Sequence, residues 1–132
     1  MPDNYSDSRT FALQIGELAL QKKANSVKVL DVHNLTSMTD FFVICSGNSD
    51  IQVKAIVDHI LDEVAMVEHP FNREGYDNRE WILLDYINVI VHVFHEASRD
   101  FYDLERLWMD AEVTELSDEE ASDANTPMFD DL

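Results

Sequence analysis

Cysteine, proline, glycine and positive charge are all scarce in this chain, and each scarcity excludes something. Cys45 is the single cysteine among 132 residues, so neither an internal disulfide nor a cysteine metal cluster can form. Set in the apolar run FFVIC, it reads as a small buried hydrophobe. There are only 9 Lys+Arg against 27 Asp+Glu, giving a formal net charge of -18 and a pI of about 4.3. A protein that grips a DNA or RNA backbone neutralises phosphates with Lys and Arg, so direct nucleic-acid binding is not expected. A basic protein suits such a chain better as partner. No apolar run approaches the ~20 residues of a membrane span. The N-terminus, MPDNYSDSRT, has neither the apolar core of a signal peptide nor an Arg-rich transit face. A soluble, cytoplasmic protein with no membrane partner is the expectation.

What is present is enough apolar residue, 45% of the chain, for one domain with a real core. The charge is uneven. Nine acidic residues and no basic one follow Met109, which is half of the whole imbalance. That composition predicts an acidic, disordered tail over 110–132 and a flexible start over 1–7, with the folded domain at 8–109.

Periodicity orders the rest. Phe11, Ile15, Leu18 and Ala19 make a helical stripe from about Ser8 to Lys23. Val27 to Val32 and Phe41 to Cys45 read as strands, the second buried on both faces. The bend between them, HNLTSMTD, is held by side chains that bond nearby backbone. Ser49 with Gln52 forms a capping box ahead of Val53, Ile56, Val57, Ile60, Leu61 and Val64, the strongest helix in the sequence. A short edge strand within 68–74 precedes an antiparallel hairpin, Trp81–Asp85 and Val89–His95. Alternation puts Trp81, Leu83 and Asp85 on one face of the first hairpin strand. Ser98 caps a last helix, with Phe101, Leu104 and Trp108 read as core. The fold class is α/β (α+β), a mixed sheet of about five strands with flanking helices.

Reaction centres are hard to assemble. His92 and His95 point to opposite faces of a strand, and His33, His59 and His69 lie in separate elements, so no metal site is expected. Ser46, His92 and Asp85 can be picked out as a triad, but no nucleophile elbow accompanies them. The Ser46–Ser49 turn could hold an anion through backbone amides. It lacks the Lys and spacing of a phosphate loop, and a helix-capping turn is the better reading. No Asp-x-Asp stands ready for nucleotidyl transfer. No cofactor is expected. What remains is a surface of aromatics, Trp81, Tyr86, Phe94, Tyr102 and Trp108, with Asp85, Glu105 and Arg106, the usual anchors of a protein interface.

DVHNLTSMTDFFVICSGN at 31–48, SDIQVKAI at 49–56, WILLDY at 81–86, VIVHVF at 89–94 and RDFYDLERLW at 99–108 together resemble the Iojap family, the ribosomal silencing factor S proteins. The resemblance covers about residues 10–109 and leaves the acidic tail outside. It implies a single domain similar to nucleotidyltransferase folds but without their catalytic residues, and no enzymatic activity. It implies binding to the large ribosomal subunit through ribosomal protein fourteen of that subunit. Bound there, such a factor blocks joining of the small subunit and represses translation when nutrients are scarce. Organellar relatives are linked to large-subunit assembly, and members form dimers. The matched positions are Thr36, Ser37, Thr39 and Asp40 in the bend, with Trp81, Asp85, Tyr86 and His92 on the hairpin. Leu83 joins them on the Trp81 face. Where the family carries Gly-Asp after the hairpin Asp-Tyr, this chain has Ile87-Asn88, and Asn88 is the residue expected to take a left-handed turn conformation. A degenerate nucleotidyltransferase-like nucleotide-binding protein, a large-subunit assembly factor and a generic acidic adaptor acting through its tail are the alternative readings.

Overall fold

The computed structural model describes residues 5–117. Ten elements run in order: α1 (Tyr5–Gln21), β1 (Asn25–Asp31), β2 (Phe41–Gly47), α2 (Asp50–Val64), β3 (Asn72–Glu74), β4 (Trp81–Asp85), β5 (Val89–His95), α3 (Glu96–Tyr102), α4 (Leu104–Leu107) and β6 (Glu112–Leu116). The strands form one mixed sheet in the order β3-β4-β5-β2-β1-β6. Only β2 and β5 are parallel; every other pair is antiparallel. The described residues hold six strands, where about five were expected.

The sheet has two faces of different character. Side chains that alternate along the strands as Val27, Val29, Phe41, Val43, Cys45, Ile82, Leu84, Val89, Val91 and Val93 pack under α1 and α2. The stripe on α2, with Val53, Ile56, Val57, Ile60 and Val64 buried, closes this main core. Its start is held by Ser49 Oγ, which accepts from Gln52 N at 3.2 Å, while Gln52 Oε1 accepts from Asn48 N at 2.7 Å. The opposite face carries Leu30, Phe42, Ile44 and Phe94, and among the described residues the short α3–α4 segment lies over it, through Leu104 and Trp108.

Two expectations about the chain's ends are corrected. The segment expected to be disordered from residue 110 contributes β6, paired with β1 from Leu116 at Val27 to Glu112 at Asp31. Gly16 on α1 makes room for it, since a Cβ there would meet Leu116 Cδ1 at 2.5 Å. Residues 118–132 lie outside the described residues. At the other end, α1 begins at Tyr5, within the stretch expected to be flexible, and Tyr5 Oη donates to Asp31 at the end of β1.

The last helix also departs from its reading. His95, not Ser98, caps α3, and Asp103 in the left-handed region (φ 48°) separates α3 from α4. Leu104 is buried, Trp108 is half-buried, and Phe101 stands in solvent.

The hairpin turn is corrected in the same way. Ile87, not Asn88, takes the left-handed conformation, with φ 73°. Asp85 Oδ1 accepts the Ile87 N–H at 2.8 Å and holds it there. A β-branched residue in this region is strained by about 1–2 kcal/mol, and Ile87 is 42% exposed, so its side chain returns little through burial. Ile87→Gly is therefore expected to stabilise the domain by about 1 kcal/mol and raise its thermal midpoint by about 4 °C. Calorimetric melting of the two proteins checks this, and an unchanged or lower midpoint contradicts it.

Candidate protein-docking face

Cross-strand pairing locates the open face. Trp81 stands beside Phe94, Leu83 beside His92 and Asp85 beside Ile90. Asn72 and Glu74 of the edge strand β3 flank Asp85 and Leu83. On the other side, β2 sets Phe42 beside Ile90 and Ile44 beside His92. The α3–α4 segment covers the β1–β2 half of this face. Toward β4 and β3 the cover ends, and Trp81, Leu83, Asp85 and Ile90 are only half-buried.

Aromatic rings pave the boundary. The Trp81 indole stacks on Phe94 at 4.9 Å between centroids and meets Tyr102 at 4.8 Å. Phe42 meets His92 edge-on at 5.0 Å and Trp108 at 5.1 Å. Trp81 Nε1 donates to His92 Nδ1 at 3.0 Å. An indole nitrogen can only donate, so Nδ1 of His92 is the acceptor and the neutral ring carries its hydrogen on Nε2. Burial pushes the His92 imidazole down to about 4, because desolvation disfavours the charged ring.

The covering segment is pinned by a buried guanidinium. Arg99, 7% exposed, gives Nε and Nη2 to the two oxygens of Glu105 at 3.0 and 3.2 Å. Its Nη1 reaches Ser46 Oγ at 3.2 Å and Asn25 O at 3.3 Å, and Lys28 Nζ joins Glu105 at 3.0 Å. Burial alone would raise the Glu105 carboxyl, but the bonds from Arg99 and Lys28 hold it below the usual carboxylate range. The forked geometry fixes α3–α4 against β1 and β2. No spacing in the sequence pointed to Arg99 in this role.

The nine residues singled out from sequence do not share one surface. Trp81, Leu83 and Asp85 do, along the open face. His92 lies beneath them as a buried floor. Tyr86 turns to the main core, where its ring meets Phe11 edge-on at 5.3 Å and burial pushes its hydroxyl up to about 12. Thr39 is buried, and Thr36 Oγ1 is engaged by Met38 N at 3.2 Å. Ser37 is exposed and Asp40 half-buried. The bend sits beside the hairpin turn, because Asp40 N and Phe41 N both donate to Asn88 O, while Trp81 stands at the far end of β4. The turn at Ser46–Ser49 is filled by its own side chains. Gln52 takes the Asn48 amide and also donates Nε2 to Lys22 O and Lys23 O at 3.3 and 2.9 Å.

An α/β domain with one face sealed by helices and the other half-open, aromatic and acidic has the form of a module that docks on another macromolecule. The family can be stated as well. The chain belongs to the family described as ribosomal silencing factor during starvation, whose model matches residues 5–130. That match runs through β6 and beyond, into the acidic segment that the sequence reading left outside. The ribosomal silencing factor RsfS of Halalkalibacterium halodurans is 44% identical over 97 residues, 72% of this chain and 82% of the relative. RsfS of Bacillus subtilis is 41% identical over 96 residues, 72% of this chain and 81% of the relative. A crystal structure of a protein from Chromobacterium violaceum superposes with a TM-score of 0.71 at 30% identity, covering 80% of this chain and 87% of that one.

Proposed function

We propose that this chain binds the large ribosomal subunit through ribosomal protein fourteen, occupies the surface where the small subunit would join, and so silences translation without catalysing a reaction. The family match over residues 5–130 carries this reading, and the open face supplies a surface suited to it. Half-buried Trp81 and Leu83 between Asp85 and Glu74 offer an apolar centre with an acidic rim, complementary to a basic protein. The net charge of -18 sets the chain against naked RNA and favours this protein-mediated contact. In this reading the factor acts in the cytoplasm and needs no cofactor, and homodimers form from the same domain.

No observation favours nucleotide binding at the Ser46–Ser49 turn, whose Asn48 and Gln52 amides already have protein partners. Co-sedimentation with isolated subunits tests the proposal. The chain is expected to travel with large subunits, to ignore small ones, and to be released as salt rises. Equal binding to both subunits, or to neither, overturns it.

A further inference from the structure

At the outer edge of the open face lies a cavity of about 220 Å³ lined by Glu74, Gly75, Trp81 and Leu83. We infer that this cavity is a receptor for a single arginine side chain of the docked protein, an assignment that rests on the docking face proposed above.

Each wall narrows the chemistry. The Trp81 N–H is committed to His92, so toward an occupant the indole has no hydrogen bond to give and presents only ring surface. Leu83 adds an apolar wall. Glu74 stands at the rim, exposed, with Oε2 held by Asn72 Nδ2 at 2.8 Å, which orients the carboxylate and leaves Oε1 to an incoming donor. Asp85 is the next residue along the same face of β4. An anion is repelled by this rim, and a purely apolar group would leave the carboxylate unused. A planar cation that stacks on an indole and forks onto a carboxylate answers both walls, and guanidinium does so better than ammonium.

The cavity is built into the backbone. Gly75 has φ +80°, and a Cβ there would lie 2.0 Å from Trp81 O. The chain at Gly75 is therefore pressed against the start of β4, with Glu74 and Trp81 lining the same cavity.

The test measures affinity for isolated large subunits at about 0.1 M salt, a concentration at which an exposed carboxylate still acts over about 10 Å. Glu74→Arg reverses the rim charge at an exposed site and is expected to weaken binding by about tenfold or more, with Glu74→Gln intermediate and both melting as the parent does. Trp81→Ala is measured beside them. If Trp81→Ala weakens binding while both Glu74 variants bind as the parent does, the arginine receptor is wrong and the docking face stands. If neither position matters, the face itself is wrong and the receptor falls with it.

Discussion

Trp81→Ala is expected to lower affinity for the large subunit by about thirtyfold or more, the scale of an aromatic anchor at the centre of an interface. Several features single this residue out. It is half-buried on the open face of β4, it is rigidly placed by stacking on Phe94 and Tyr102, and its polar atom is already satisfied by His92. A ring so fixed loses little conformational freedom on binding. The same contacts mean that truncation also costs stability, so the comparison needs a control. Trp81→Phe retains a ring to stack on Phe94 and should fold normally with a smaller binding defect, because it gives up the His92 bond and part of the contact area. Leu83→Asp, on the same face and two residues along, should weaken binding with little effect on melting because Leu83 is only half-buried. Affinities by titration, paired with melting curves, separate the two effects. If the alanine variant binds within threefold of the parent while folded, the face is misassigned.

Acid should loosen the same region. The His92 ring titrates at about 4 in the fold against an ordinary 6.5. Above pH 6.5 both folded and unfolded chains hold it neutral, and it contributes no pH dependence. As pH falls through 6.5 the unfolded chain takes up a proton that the folded chain refuses until about pH 4, so stability is lost across that window. The loss should reach about 2 kcal/mol by pH 5 and about 3 kcal/mol when complete. Three carboxylates act lower down. Burial would raise Asp31, Asp58 and Glu105, yet hydrogen bonds from His33 and Tyr5, from Lys54 and Tyr76, and from Arg99 and Lys28 hold them below the usual range. Their stabilisation is lost from the ordinary carboxylate values of 3.8 for Asp and 4.5 for Glu downward, through those lowered values, so that Glu105 begins to act as the His92 window closes. Denaturant unfolding from pH 7 to 5 on the parent and on His92→Phe isolates the imidazole. The parent should weaken and the variant should hold nearly flat. Equal slopes for the two contradict the burial argument.

Both expectations depend on features of different visibility in the sequence. Apolar spacing located α2 and the strands of the main core, because both faces of β2 and one face of β4 and β5 have no alternative to burial. Trp81, Leu83 and Asp85 were placed together by simple alternation, which survives folding intact. Alternation set His92 and His95 on opposite faces of β5 but left open which face of the sheet His92 lines and how deeply. That depth owes much to Phe42, which meets the ring edge-on from a strand distant in sequence and is itself met by Trp108. Tyr86 was misjudged for a different reason. Alternation carried one residue past β4 puts Tyr86 with Ile82 and Leu84, and it does turn inward there against Phe11; the family resemblance, not the alternation, had set it on the interface.

Strand β6 was hidden by its surroundings. Nine acidic residues after Met109 suggest solvated chain, yet Thr114 and Leu116 alternate as the half-buried positions within EVTEL. Glu115 stands opposite Lys28 in the ladder, although the Lys28 ammonium is paired with Glu105. The short strand covers what would otherwise be the open edge of β1. Ile87 shows the opposite case. The departure from the glycine expected at the turn was visible, but which of two adjacent residues bears the left-handed conformation is settled by the Asp85 carboxylate, which holds the Ile87 amide.

Subunit joining followed by light scattering tests the central claim most directly. Large subunits are incubated with saturating chain before small subunits are added, and the same is done with the Trp81→Ala variant. The account predicts that joining is suppressed by the parent, is restored by the variant, and recovers when free ribosomal protein fourteen is supplied as competitor. Undiminished joining at saturating parent chain, with binding to the large subunit verified in the same sample, contradicts it.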